Sequence, residues 1–134
     1  MLADATTIVR LSLHVLAATI WVGGQFTLAG VVPVLRSAGE GVASAAGRRF
    51  SQFAWPAYGV LLATGLWNIA AVNAGSRSSA WQIVLGAKIG VFLLSGLSAW
   101  MHQRASQPRE LAIWGALSGI SAPAVLIMGV ALAG

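Results

Sequence analysis

The chain has 134 residues, of which 57% are hydrophobic and only 8% are charged, and its mean hydropathy is +0.80. This composition excludes a water-soluble domain, which needs far more polar surface. The formal charge of +5 is spread over loops and helix ends and forms no basic stripe for nucleic acid, and the absence of cysteine excludes disulfides and thiolate metal sites.

Four apolar stretches predict four membrane-spanning helices, because each has at least the roughly 20 residues needed to cross about 30 Å of hydrocarbon. The expected spans are residues 8–35, 50–74, 79–103 and 110–133, and Lys88 is the charge within the third. Pro56 is expected in the first two turns of the second helix, where a missing N–H costs little. The loop Arg36–Arg49 is expected to carry a short interfacial helix. The sequence therefore predicts a single domain of the all-α class, an integral membrane four-helix bundle with up-down-up-down topology.

The distribution of basic residues predicts the orientation of these helices. The first and third loops hold five basic residues, and the opposite side holds two: Arg36, Arg48, Arg49, Arg104 and Arg109 against Arg10 and Arg77. Because cytoplasmic loops carry the excess of Lys and Arg, both termini are expected on the outer side of the plasma membrane.

Polar residues on all four helices are predicted to meet in one layer. Counting about 1.5 Å per residue from the helix ends brings His14, Lys88 and Asn68 to nearly equal depths. Thr64 lies a turn deeper, and Met128 comes within a few residues of that level. At 100° per residue, Arg10, His14 and Trp21 share one stripe of the first helix, and polar residues in membranes normally face the bundle interior. We therefore expect this layer to be the candidate binding site.

Other interpretations of the same residues stay open. In one of them His14 simply forms a hydrogen bond to a serine or carbonyl of a neighbouring helix, and Lys88 extends its ammonium to the lipid headgroups. His102 is expected to cap the end of the third helix, about 20 Å from His14 in depth, so the two histidines cannot share a metal. Four further tryptophans are expected in the interfacial belt at the span ends: Trp55, Trp81, Trp100 and Trp114.

Several short motifs resemble the copper-resistance D (CopD) domain over about Leu11–Gln103. They are the run from His14 to Trp21-Val-Gly23-Gly24, the pair Arg48-Arg49 with Phe50, Pro56, Gly65-Leu66-Trp67, and Lys88 opening a Leu/Val-rich helix. The resemblance implies copper transport or resistance. Because Cu(I) prefers thioether and imidazole ligands, His14 and Met128 are the expected ligands.

The same positions also resemble the HemJ-type protoporphyrinogen oxidases. In that family a first-helix histidine and a third-helix lysine are associated with haem. The resemblance implies that His14 binds haem b axially, that Lys88 or Arg10 pairs with a propionate, and that Trp21 lines the site.

A third interpretation is a non-catalytic subunit in the lipid bilayer that docks on a membrane protein or on its own copy. The small-residue pairs Gly86/Gly90 and Gly115/Gly119 are the expected docking faces. No carboxylate lies within a span, so no acid–base pair is expected near His14, and we expect no enzymatic activity of the hydrolase type.

Overall fold

The computed structural model describes residues 1–134, and every regular element in it is helical. In chain order the elements are α1 (Ala5–Ala18), a π-helical segment (Thr19–Gly23), α2 (Gly24–Ser37), α3 (Val42–Ala71), a 3-10 turn (Ala74–Ser76), α4 (Ser79–Arg104) and α5 (Pro108–Ala133). The predicted all-α class is confirmed.

Three helices are long and apolar enough to cross a membrane: Ala5–Ser37, Ser79–Arg104 and Pro108–Ala133. The first of them joins α1, the π segment and α2 without a break, and we call it the N-terminal helix. By length and composition the chain is a membrane protein. Helix α3 has 30 residues but is not among the three. The second predicted span therefore stays a prediction.

The chain divides into two compact units, Met1–Val72 and Asn73–Gly134, which we call the N-terminal and C-terminal hairpins. Each is an antiparallel pair of helices. In the N-terminal hairpin, Arg10 contacts Asn68 and His14 contacts Thr64, so residue numbers rise along one helix as they fall along the other.

The C-terminal hairpin shows the same antiparallel order in its cross-helix hydrogen bonds. Trp81 Nε1 donates to the carbonyl of Leu132, and His102 Nδ1 bonds the carbonyl of Leu111. The 3-10 turn Ala74–Ser76 precedes α4. There Asn73 adopts a left-handed conformation with φ of 49°, and Ser78 caps α4 by accepting from the backbone N–H of Trp81.

The connection between the first two helices is shorter than predicted. Only residues 38–41 lie outside helices, and Gly41 turns the chain with a φ of 78°. The predicted interfacial helix within Arg36–Arg49 was wrong, because these residues extend α2 and begin α3. Pro56 consequently lies about four turns inside α3 and not in its first two turns. There its missing N–H removes one helical hydrogen bond.

Small residues form the core of the C-terminal hairpin. The buried positions are Ser95, Gly96, Ser98, Ser118, Ser121 and Ala122. Two of these hydroxyls bond to their own helices: Ser98 Oγ donates to the carbonyl of Leu94 at 2.5 Å and Ser121 Oγ to that of Leu117 at 2.6 Å. Small side chains let the two backbones approach closely, which is how helices associate where leucine burial gains nothing over lipid.

Candidate functional site

Arg10 is a buried charge on the inner face of the N-terminal hairpin. Its side chain is only 7% exposed, although it lies in the second turn of a membrane-spanning helix. Arg10 Nη1 donates a hydrogen bond to Asn68 Oδ1 on α3. The carboxylates of this hairpin belong to Asp4 and Glu40, and neither forms an ion pair with Arg10; Asp4 accepts hydrogen bonds from Thr7. The guanidinium is therefore held by a neutral amide, and no carboxylate of the hairpin balances its charge.

One turn further along, His14 bonds to a threonine on α3. His14 Nδ1 lies 2.7 Å from Thr64 Oγ1. Thr64 Oγ1 also lies 2.6 Å from the carbonyl of Val60, to which helical threonines commonly donate. When the hydroxyl proton goes to Val60, Nδ1 is the donor to Thr64, and a neutral His14 then carries its lone pair on Nε2. A second-shell partner of this kind orients a metal-ligating histidine.

Three aromatic rings pack together beyond His14. Trp21 is 3% exposed, and its ring centroid lies 4.7 Å from that of Tyr58 and 5.6 Å from that of Trp55. Trp55 and Tyr58 also contact each other, with centroids 5.7 Å apart. The predicted inward position of Trp21 is confirmed. The ring of Trp55 packs on Trp21, and its assignment to the interfacial belt stays a prediction.

The backbone around Trp21 is π-helical from Thr19 to Gly23. A π segment adds a residue to the turn and changes which side chains face the partner helix, and such segments occur frequently at functional sites. Here it buries Trp21 and Val22 side by side.

These groups form one continuous strip along the interface between the N-terminal helix and α3. From Arg10 through His14 to Trp21 the strip covers twelve residues, or about 16 Å of helix length. The strip changes from charged to polar to aromatic along that length. Chemically, it offers a cation for an anionic group, an oriented imidazole for a metal, and flat apolar surfaces for a ring.

Lys88 and Met128 lie in the C-terminal hairpin, at one level of the α4–α5 pair. Both side chains are half-buried. A Cβ built on Gly129 would lie 3.1 Å from Lys88 Nζ, so the ammonium rests on the α5 backbone beside Met128. Their predicted proximity to His14 joins residues of different hairpins and stays a prediction.

His102 does not cap its own helix, contrary to the expectation from the sequence. Its Nδ1 lies 2.9 Å from the carbonyl of Leu111 on α5, and its ring covers Gly115, where an added Cβ would lie 3.1 Å from Cε1. Gly115 thus serves packing within the hairpin. Gly86 and Gly90, the other expected docking face, are exposed and have open space around them.

The structure contains no group of three or more His, Cys, Asp or Glu side chains that could hold a metal ion. The chain matches no family model, no curated protein and no solved structure. The roles implied by the CopD and HemJ resemblances therefore remain expectations, to be weighed by the chemistry of the residues themselves.

Two features of the site have no counterpart in the sequence-based expectations. Tyr58 was not a candidate, although its spacing of three residues from Trp55 places both rings on one face of α3. The register of the hairpin then sets Trp21 opposite these two rings. The π segment has no sequence signal beyond the adjacent Gly23-Gly24 pair.

Proposed function

We propose that the protein is an integral membrane protein whose N-terminal hairpin binds haem b through His14. The observation that supports the proposal is the pairing of an oriented imidazole with a buried guanidinium one turn away. A haem group presents an iron that binds imidazole and carboxylate side chains that bind arginine, so it uses both residues at once.

The residues present fit such a group. With Nδ1 bonded to Thr64, Nε2 is the ring nitrogen that would bind the iron, and Gly65 faces the His14 ring, since a Cβ there would lie 3.9 Å from Cε1. Arg10 would hold a propionate, and Asn68 keeps the guanidinium in place. A bound haem would supply one-electron transfer; the residues of this chain would bind, orient and shield it.

Copper is the alternative that the CopD resemblance implies, and the N-terminal hairpin suits it less well. Cu(I) needs soft ligands in addition to imidazole, and the only methionine in this hairpin is Met1. A guanidinium one turn from His14 also repels a bare cation. A copper site would have to draw its thioether from Met128 of the other hairpin.

The test is an oxidised-minus-reduced visible spectrum of the full chain, made with ample haem and purified in mild detergent, with iron and copper measured on the same sample. We expect a Soret band that disappears in His14→Ala. The matched control is His102→Ala, which removes the other histidine and should leave the band unchanged. Thr64→Val should weaken haem binding by about tenfold to a hundredfold, because it removes only the partner of Nδ1.

The other outcomes each contradict haem binding through His14. Copper lost on changing His14, without a Soret band, would support copper handling. A colourless and metal-free protein that co-purifies with a fixed membrane partner would support the accessory-subunit role. A Soret band that survives in His14→Ala would refute the assignment of this residue.

A further inference from the structure

A shallow groove of about 310 Å³ runs along the outside of the N-terminal hairpin, away from the strip that carries Arg10 and His14. Ala17 and Ala57, which are 3% and 5% exposed, form its floor. Larger side chains rise on either side, including Leu16 on the N-terminal helix and Phe53 on α3, which are 60% and 56% exposed. The groove is therefore apolar, open to its surroundings and built from one hairpin alone.

The groove has the dimensions of a lipid chain segment. Along α3 its lining extends from Gln52 to Val60, which corresponds to about 12 Å of helix. It is bordered by a helix long and apolar enough to cross a membrane. A hydrocarbon chain lying parallel to the helices would pack between the exposed side chains that border the groove, among them Leu16 and Phe53.

A guanidinium stands at one end of this groove. Arg49 Nη1 donates to Gln52 Oε1 at 2.6 Å, and its Cζ lies 5.2 Å from the centroid of the Phe53 ring. Both of those residues line the groove. Arg48 and Arg49 are the only charged residues of α3, so they mark where this helix meets the polar layer of the bilayer.

We infer that this groove is a binding site for an anionic phospholipid, with an acyl chain on the alanine floor and the phosphate on Arg49. The charge supplies selectivity that an apolar groove alone lacks. Arginine has five N–H donors in a planar fork, and the bond to Gln52 uses one of them, which leaves others for phosphate oxygens. The contacts to Gln52 and Phe53 hold the fork in position before the lipid arrives.

The experiment is native mass spectrometry of the full chain in mild detergent, with equal amounts of phosphatidylglycerol and phosphatidylcholine that have identical acyl chains. We expect phosphatidylglycerol to be retained preferentially. Arg49→Gln should lower its affinity about fivefold, because one basic residue at the membrane surface is lost. The affinity of Arg49→Lys should lie between those of the unchanged protein and Arg49→Gln, since lysine keeps the charge but not the planar fork. Phe53→Ala should weaken the binding of both lipids.

Arg77→Gln is the matched control, because Arg77 also stands over an aromatic ring, that of Trp81 at 5.5 Å, but belongs to the C-terminal hairpin. It should leave the lipid preference unchanged. The inference is overturned if Arg49→Gln has no effect, or if Arg77→Gln has an equal one. Retention of glycerol phosphate as strongly as phosphatidylglycerol would indicate a phosphate site without a chain site. Loss of a dimer in Phe53→Ala, with lipid binding intact, would assign the groove to a second copy of the chain.

Discussion

Replacing Gly24 with alanine should loosen the N-terminal hairpin, because the Phe50 ring occupies the space that a side chain would need. A Cβ built on Gly24 would overlap the edge of that ring and lie 2.6 Å from its Cζ. Carbon atoms in contact prefer about 3.5–4.0 Å, so the ring must move by roughly an ångström. The neighbouring Gly23 provides the matched control, because a Cβ added there would have nothing within 4 Å.

The magnitude follows from comparing the two variants. Both replacements gain about 0.5–1 kcal/mol from the better helix propensity of alanine. Only Gly24→Ala also introduces overpacking, which typically costs about 1–3 kcal/mol. Because the obstruction is the far end of one half-buried ring, we expect the lower part of that range. Gly24→Ala should therefore be less stable than Gly23→Ala by about 1–2 kcal/mol.

The measurement is reversible unfolding in mixed detergent micelles, followed by far-UV circular dichroism. Adding Phe50→Leu to Gly24→Ala should restore most of the lost stability, because the smaller side chain vacates the contact. Equal stabilities for the two glycine variants, or no rescue by Phe50→Leu, would refute the close packing of Gly24 on Phe50.

Three further predictions use the same unfolding assay. Trp21→Ala should cost about 3 kcal/mol through the cavity it leaves among the aromatic rings, whereas Trp67→Ala, at a site 42% exposed, should cost far less. Ser98→Leu should separate α4 from α5 while Ser98→Ala is tolerated, because size and not hydroxyl bonding across the helices sets that contact. Hydrogen bonds from the backbone and side chain of Thr7 lower the pKa of Asp4 from its ordinary 3.8. The stability that the Asp4 cap contributes to α1 should therefore be present above pH 3.8 and be lost as the pH falls through the lower pKa of the folded state. Asp4→Asn should remove this pH dependence.

The helical class and the inward faces were predictable because a membrane imposes them. Long apolar runs must become helices, since no other local structure satisfies the backbone in lipid. Polar residues within such runs turn inward, and Arg10, Ser95 and Ser121 are indeed buried. A pattern that repeats with the helical period is visible in one sequence, so these features required no knowledge of neighbouring helices.

The partners of the site residues were predictable only in part, because they depend on the register between helices. Counting depth placed Asn68 level with His14 and Thr64 a turn deeper, whereas Asn68 bonds Arg10 and Thr64 bonds His14. This register depends on a loop of four residues, 38–41, which was expected to be longer. The π segment changes the facing direction within the N-terminal helix, and helical periodicity assumes that this direction advances uniformly.

The helix pairs within the two hairpins make different kinds of contact. This difference indicates which hairpin is the better candidate for a binding site. In the C-terminal hairpin, Ser98 and Ser121 bond to their own helices, and the bonds of Trp81 and His102 across the pair go to backbone carbonyls. The N-terminal hairpin instead places a buried cation and an imidazole against neutral partners on α3. Burying an unpaired charge is costly, and packing of small residues would have joined these helices without it. Packing of the two helices does not require this buried charge. The simplest explanation is an anionic group that binds the guanidinium, and Arg10 is where that group should be sought.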